Sequence, residues 1–554
     1  MDGLLTYLPK WTQKVVTEGG GRDPLGLSRV AFLLTDALLT GIITTTDRAR
    51  YYSFYTWALW HIEKEDKPQR YEYFVDGLRR REAALALATA NSEPQMTPVG
   101  RDVVRVQLDR GSLTGEFNCD FKVLPSNNTG GYGQYYSGSI YNLGLSRRDD
   151  HGIDLVSDGL GDQLATAFHE SIAESAYIKN RLYTRTSLSK AEVESLSERY
   201  SLQALSSDAA STERNLLLDI FFSQSDGGSD QKSLLRRQTL TILLDLVAKY
   251  SDLGSPPDTS SQDKLDVYLL YAIYYDSLWT DEYELIPYTP PATHEFCYEM
   301  WKQFCLHEFV VQSIEGLLQA VLITVGDEFL GRDLTSVIEE ITDDEFQETF
   351  REVMGQRCET PLAFLRALGL EQIPRERESA KFQKQIEPNH DYAEPALLSL
   401  ATRIPGRRTA LSVMLLGVLY AKWRGVLGSP SMSYISNHAG ANLWAGAVLP
   451  ELDSWFSPDA LWSNVLPRFI ERFILDQHDR VMYEKRRLDS CWLHRADNRI
   501  IKDQDYDPQW RASRFLNSIR ILSDLGLIET SSDKRVEITK EGRDLLRQLI
   551  TSDG

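Results

Sequence analysis

The chain of 554 residues carries 60 Lys and Arg against 80 Asp and Glu, which gives a formal net charge of −20. This acidic balance favours solubility and disfavours a broad surface that wraps nucleic acid, although a local basic patch remains compatible with it. Hydrophobic residues make up 42% and charged residues 25%, as in ordinary globular proteins, so the chain can bury a large core in about three or four domains.

The cysteines and the apolar runs indicate the compartment. The five cysteines are scattered and form no CxxC pair, which disfavours a zinc knuckle and a disulfide framework. The N-terminus lacks the basic and then apolar pattern of a secretory signal. The longest apolar runs, 317–325 and 410–420, are shorter than the roughly 20 residues that a membrane span needs. We therefore expect a cytoplasmic protein with reduced thiols, no membrane association and no cofactor.

Two helices are predicted near the N-terminus. Residues 27–39 are apolar on both faces, and residues 49–62 are dense in aromatic side chains, with Asp47 as an N-cap. Arg48 and Arg50 lie in the first turn of the second helix, where the helix dipole disfavours cations. Each should therefore meet a carboxylate, a phosphate or an aromatic face. The alternatives are a bound anion or nucleotide, or internal ion pairs with Asp23, Asp36 or Asp47.

The same block carries a resemblance. The segments LGLSRVAFLL and TDRARYYSFYTWALW resemble uncharacterised prokaryotic proteins that sit among antiviral defence genes. The resemblance covers less than a tenth of the chain. It implies a biological context and no particular chemistry.

The next part of the chain predicts a helix and a hairpin. Residues 71–90 should be helical, with Arg79 to Arg81 on the outer side. Residues 103–108 and 117–124 look extended and predict a small β hairpin. The glycine-rich segment 127–133 lacks the Lys-Ser/Thr pair and the following helix of a phosphate cradle, so it favours a surface loop.

Residues 161–177 predict a helix that carries His169, Glu170 and Glu174. His-Glu is half of a zinc-protease signature, but the second His four residues later is absent. One alternative is a metal site completed by distant residues, and the other is an amphipathic helix without a site. A further helix should follow 187–190, capped by Ser187 or Ser189.

The second half of the chain predicts buried helices over 296–325 and 410–427 and a further helix over 459–483. The last of them leads to the basic trio Lys485, Arg486 and Arg487. The sequence divides into four predicted segments: an aromatic-rich helical block (1–90), a mixed helical region with a small β hairpin (91–260), a helical core domain (261–480), and a basic linker with a terminal module (481–554).

The terminal module begins with Asp507 as N-cap and Pro508 in the first turn of a helix. Gly526 should end this helix, and strands over 527–529 and 535–539 should flank a turn. Thr539 can cap a final helix. The apolar face of the first helix is formed by Ala512, Phe515, Leu516, Ile519 and Leu522.

This order of helix, hairpin and helix resembles the winged-helix family over about the last tenth of the chain. In DNA-binding members the helix before the wing enters the major groove. Carried over, the resemblance implies a contact face that contains Arg511, Arg514, Asn517 and Arg520, with Lys534 and Arg535 on the wing and the trio 485–487 beside them. Because nearby acids offset these cations, both DNA and a protein remain open as the target.

The sequence thus predicts a mainly α protein with a C-terminal winged helix and no catalytic signature. We expect a non-enzymatic scaffold or adaptor subunit of a prokaryotic multi-protein system that acts on DNA, in antiviral defence, with other protein subunits as partners and no small-molecule substrate identified. The alternative is a metal-dependent hydrolase or nuclease whose site is assembled from distant residues, with His169, Glu170 and Glu174 as candidates.

Overall fold

The computed structural model describes residues 23–66, 70–92, 98–148, 154–222, 231–281, 284–368, 393–424, 430–439, 443–485 and 491–552. It is 68% helix and 8% strand, so the predicted mainly helical class is confirmed. The chain divides into two compact units, each assembled from separate pieces. Unit 1 comprises Met1–Leu34, Ile273–Ser277 and Tyr298–Arg511, and unit 2 comprises Thr35–Ala272, Leu278–Cys297 and Ala512–Gly554. The division into four segments stays a prediction.

Helices dominate both units. In chain order the α-helices are α1 (Ser28–Leu38), α2 (Ala49–His61), α3 (Tyr71–Ser92), α4 (Arg101–Thr114), α5 (Ser137–Asn142), α6 (Leu160–Ile172), α7 (Ala176–Lys179), α8 (Lys190–Arg199), α9 (Ser211–Phe222), α10 (Gln231–Asp252), α11 (Gln262–Tyr268), α12 (Leu270–Tyr275), α13 (Glu295–Val325), α14 (Leu334–Ile341), α15 (Asp344–Met354), α16 (Pro361–Ala367), α17 (Glu394–Arg403), α18 (Arg408–Trp423), α19 (Pro430–Ala439), α20 (Leu449–Trp455), α21 (Trp462–Ile470), α22 (Asp476–Lys485), α23 (Phe515–Asp524) and α24 (Lys540–Ser552).

The strands are short and form small antiparallel sheets. The two-stranded sheets pair β1 (Glu116–Asn118) with β4 (Ser187–Ser189), β2 (Ser146–Arg148) with β3 (Asp154–Val156), β5 (Ser277–Trp279) with β6 (Leu285–Pro287), and β10 (Ile528–Thr530) with β11 (Val536–Ile538). A three-stranded sheet has the order β7 (Arg332–Asp333), β9 (Arg499–Lys502) and β8 (Leu493–Ala496).

The aromatic helix α2 lies at the centre of unit 2. All its residues except Trp60 are buried. Phe54 and Trp57 pack on Phe168 of α6, with ring centroids 6.1 and 5.1 Å apart. Burial of such large rings supplies much of the hydrophobic stabilisation of a core. The aromatic residues of this block therefore serve packing.

Unit 1 contains most of α13, the longest helix of the described chain, with 31 residues. The predicted helix over 296–325 is thus confirmed, as is the helix near 410, where every residue of α18 is buried. By length and composition, 292–325 could cross a membrane, but 89% of its most apolar window is buried inside the protein. This single helix is therefore weak evidence for a membrane span.

The predicted hairpin over 103–124 is wrong. Residues 101–114 form α4, and the short strand β1 after it pairs with β4, some 70 residues later in the chain. The pattern VVRVQL alternates like a strand, but Val104 of α4 is buried while Val106 stays exposed, as one face of a helix requires.

Arg81 also differs from its prediction. It is fully buried rather than on the outer side of α3, and donates to the Asp66 carboxylate and to the Gly77 carbonyl oxygen. Its guanidinium lies 2.7 Å from His61 Nδ1. Burial, with a further contribution from this guanidinium, lowers the pKa of His61 to about 2, so the imidazole is neutral and can accept a hydrogen bond.

Candidate functional site

The terminal module has the predicted order of helix, hairpin and helix. Gly526, at φ +79°, follows α23 in the left-handed conformation that favours glycine at this position. The strands β10 and β11 pair Ile528 with Ile538, and Thr539 Oγ1 accepts the Gly542 N–H at the start of α24. These local predictions are confirmed. The assignment to the winged-helix family stays a prediction.

The first helix begins later than predicted. Residues 503–514 are not helical, so Asp507 and Pro508 do not start it. Its N-cap is Arg514, a non-glycine residue with φ +66°. The apolar face forms from Phe515, Ile519 and Leu522, all buried.

The first part of the polar face of α23, Arg514 and Asn517, is buried against α1 and the loop between α1 and α2. Arg514 forms an ion pair with Asp36 at 2.6 Å and donates to the Ile42 carbonyl oxygen at 3.0 Å. Asn517 donates through its amide to the Thr44 carbonyl oxygen at 3.1 Å. Because both side chains are almost fully buried, the structure places them in an intramolecular interface.

Arg48 completes this interface from the side of α2. Its guanidinium donates twice to the Asp524 carboxylate, at 2.9 and 2.5 Å. The same carboxylate accepts the Ala49 N–H at 2.9 Å. Asp47 is therefore not the cap of α2, because Asp524 of α23 satisfies this N–H from 475 residues away. The two groups singled out in the sequence, at Arg48 and along α23, meet each other.

Arg50 meets a different carboxylate. It donates from Nε and Nη2 to the two oxygens of Glu213, each at 3.2 Å, and both side chains are buried. Ser53 and Ser171 also donate to Glu213. The partners of Arg48 and Arg50 are thus internal carboxylates, but they are Asp524 and Glu213 rather than Asp23, Asp36 or Asp47.

The remaining predicted contact residues lie in different surroundings. Arg511 belongs to unit 1, where it is buried and binds Glu315 at 2.5 Å. Arg520 is half exposed and pairs with Asp47 at 2.8 Å. Lys485 ends α22 with its side chain outside the described part, and Arg486 and Arg487 lie outside the described residues.

Hydrogen bonds of β11 and of the two residues that precede it attach the wing to the segment 256–268. The Val536 N–H donates to the Pro257 carbonyl oxygen, and the Thr259 N–H donates to the Lys534 carbonyl oxygen. Arg535 donates to the Pro256 carbonyl oxygen at 2.7 Å and to Tyr268 at 2.9 Å. Lys534 presents an exposed side chain at the turn.

A buried carboxyl group, not anticipated from the sequence, anchors the start of α23. Asp266 Oδ1 accepts hydrogen bonds from Ser513 Oγ and Gln262 Nε2, each at 2.7 Å. Its Oδ2 has no hydrogen-bond partner among the described residues. Burial raises the pKa of Asp266 from 3.8 to about 7. The folded protein therefore retains a proton that the unfolded chain releases, so this group's contribution to stability falls as pH rises from about 4 to 7.

The candidate metal ligands do not converge. His169 Nδ1 accepts the indole N–H of Trp57 at 3.3 Å, Glu170 is exposed, and Glu174 forms an ion pair with Lys179. Burial lowers the pKa of His169. No group of three or more His, Cys, Asp or Glu suited to a metal ion occurs within the described ranges.

The internal partners of the arginines carry little sequence signal. Glu213 lies in the first turn of a helix, where the helix dipole alone already favours a carboxylate.

No family model, curated protein or solved structure matches this chain.

Proposed function

We propose that the protein is a non-enzymatic scaffold or adaptor subunit of a prokaryotic multi-protein system that acts on DNA, in antiviral defence. Its terminal module is a winged helix that docks a protein partner, and duplex DNA is the less favoured target. The defence context rests on the resemblance of the N-terminal segments, and the docking role rests on the exposed surface of the module.

One observation carries the preference for a protein. Arg514 and Asn517, the central polar residues of the helix before the wing, are bound to Asp36 and to the carbonyl oxygens of Ile42 and Thr44. Readout of bases requires free donors and acceptors that reach base edges. Of the module residues predicted to contact DNA, Arg520 and Lys534 keep the most exposed side chains.

The faces of the module that remain exposed suit a protein. On α24, the exposed residues Glu541, Asp544 and Arg547 carry charges of both signs. A mixed face of this kind gives weak attraction to phosphates but can form the polar rim of a protein interface. Glu529 and Thr530 are exposed on β10, whose only partner strand in the described chain is β11, so its other edge could accept an added strand.

The experiment is a native pull-down from the source cells with partner identification, followed by charge exchange on α24. Asp544→Arg/Arg547→Asp reverses an exposed ion pair of 2.9 Å while keeping it intact. The matched control, Lys190→Glu/Glu194→Lys, exchanges an exposed pair on α8. We expect the partner to be lost with the α24 exchange and retained with the control. Equal retention in both variants would contradict docking through this face.

A second measurement separates protein from DNA. The anisotropy of a labelled duplex is followed against salt for the wild type and for Arg520→Ala/Lys534→Ala. We expect only weak binding and no change in salt slope, because few phosphates are contacted. Tight binding that loses about two units of slope in the variant would favour DNA. Metal-dependent cleavage by the purified chain that is lost in Glu170→Ala would favour the hydrolase alternative.

A further inference from the structure

Two adjacent apolar side chains are exposed to solvent on the loop that follows α13 in unit 1. Phe329 is 91% exposed and its neighbour Leu330 is 69% exposed. Single exposed apolar residues are common on protein surfaces, but two adjacent and almost fully exposed ones, one of them aromatic, are typical of contact sites. Both belong to the segment 327–330, which we term the apolar loop.

Hydrogen bonds fasten the C-terminal end of the loop to its neighbours. Gly326 and Gly331 flank it with φ of +62° and +64°. The Gly331 N–H donates to the Glu328 carbonyl oxygen at 2.8 Å, and Arg499 of β9 donates to the Gly331 carbonyl oxygen at 2.6 Å. A side chain at position 331 would lie 2.4 Å from the Ile500 carbonyl oxygen, so the chain passes close to the sheet. The loop therefore leads directly into β7 and is fixed at that end by contacts with β9.

The surface around the apolar pair is acidic. Asp327 is 92% exposed, Asp505 is 89% exposed, and Glu328 is exposed. Lys502 forms ion pairs with Asp327 and Asp505, each at 2.8 Å, but is itself only 11% exposed. The C-terminal end of α13 adds partial negative charge. Three acids thus face two cations, Lys502 and the exposed Arg499 beside Gly331, so the outer face of the loop combines apolar side chains with a weakly net negative rim.

This charge limits what can cover the pair. An anionic membrane or a nucleic acid would be repelled by the rim. A second copy of the chain would place one acidic rim against another if it used the same loop. A basic rim around an apolar pocket would meet both features at once, because complementary charge guides association and apolar burial supplies affinity.

We propose that the apolar loop is a docking element for a second protein that offers an apolar pocket bordered by Lys or Arg. Phe329 and Leu330 enter the pocket, and Asp327, Glu328 and Asp505 face the basic border. This surface lies in unit 1 and contains no residue of α23 or α24. The proposal can therefore be tested independently of the proposed function.

The test begins with the full chain in the source cells. A photo-crosslinking amino acid is placed at position 329, and the control is placed at position 113, because Leu113 is 88% exposed but lies on α4. The protein captured from position 329 is purified, and its affinity is measured against salt. Capture alone does not support the proposal.

Support requires two results with the purified pair. Phe329→Ser/Leu330→Ser should weaken binding by about tenfold or more, while Leu113→Ser leaves it unchanged. Glu328→Lys should weaken binding several-fold and reduce its salt dependence, while Glu198→Lys, at an exposed acid on α8, should not. Unchanged circular dichroism would confirm that the variants are folded.

The opposite results overturn the proposal. In the crosslinking experiment, they are capture of the same proteins from positions 329 and 113, capture of no protein from position 329, or capture of a second copy of the chain alone. In the binding experiments, they are an affinity that responds neither to salt nor to Glu328→Lys, or binding of the wild type to anionic vesicles that Phe329→Ser abolishes.

Discussion

The carboxylate of Asp524 should stabilise the first turn of α2 from the far end of the chain. It accepts two hydrogen bonds from Arg48 and one from the Ala49 N–H, and the side chains of Asp524 and Arg48 are only 11% and 19% exposed. Asp524→Ala leaves the Arg48 cation without a partner and removes the acceptor for the N–H. Both losses act on the same helix end.

The size of the effect follows from these contacts. Removing one member of a buried ion pair costs about 3–5 kcal/mol, and partial exposure reduces this to roughly 2–3 kcal/mol. Loss of the capping acceptor adds about 1 kcal/mol. We therefore expect about 3–4 kcal/mol for Asp524→Ala. Asp524→Asn keeps an acceptor for the Ala49 N–H but loses the charge that pairs with Arg48, so it should cost about 2–3 kcal/mol.

Because the chain has two units, a single free energy of unfolding is not well defined. Hydrogen exchange of the amides at positions 49–52 measures the local opening of α2 instead. A double-mutant cycle with Arg48→Ala should give a coupling energy of about 2 kcal/mol. Arg520→Ala, which breaks the more exposed pair with Asp47, serves as the control and should cost below about 1 kcal/mol. A coupling below about 0.5 kcal/mol, or unchanged exchange at Ala49, would refute the reasoning.

Two further predictions concern a buried acid and a close packing contact. In the wild type, the stability of α23 measured by hydrogen exchange should fall between pH 4 and 7, by up to about 1.4 kcal/mol per pH unit. Asp266→Asn should remove this pH dependence. An identical pH profile in both proteins would contradict the raised pKa of Asp266. Gly131→Ala should lower the local stability around α2, measured by hydrogen exchange, by about 1–3 kcal/mol, because a Cβ there would lie 2.7 Å from the Tyr55 hydroxyl and 2.9 Å from Glu82. Gly138→Ala, on α5 with open space around it, is the matched control and should cost nothing.

Local signals predicted much of the helical framework. The helix over 296–325 and the helix cap at Ser189, one of the two predicted cap residues, are determined by residues within a few turns of each other, and the structure confirms both. The strand β1 overlaps the predicted extended segment 117–124, but the predicted hairpin partner is wrong because the true partner, β4, lies far along the chain. In α4, a run of β-branched residues favours a strand locally, and packing on one face overrides that preference.

The candidate site was less predictable because its partners are distant in sequence. Arg48 and Asp524 are 476 residues apart, and Arg50 and Glu213 are 163 apart. The pattern of α23 predicted three of its buried apolar residues, Phe515, Ile519 and Leu522, whereas Leu516 is only partly buried and Ala512 precedes the helix. It could not show that the polar face is also covered, because a polar side chain that binds a carbonyl oxygen of another segment looks in the sequence like one that binds water.

This covering changes the energetics of any docking by α23. Freeing Arg514 and Asn517 would leave Asp36 and the carbonyl oxygens of Ile42 and Thr44 without these donors, at about 1–3 kcal/mol for each group that stays buried. A good bidentate contact to a base returns only about 1–3 kcal/mol. The exchange therefore gives no net gain, and phosphate contacts would have to supply the affinity. A net charge of −20 disfavours affinity from phosphate contacts. The exposed face of α24 and the open edge of β10 are therefore the better contact surfaces for a partner of the module.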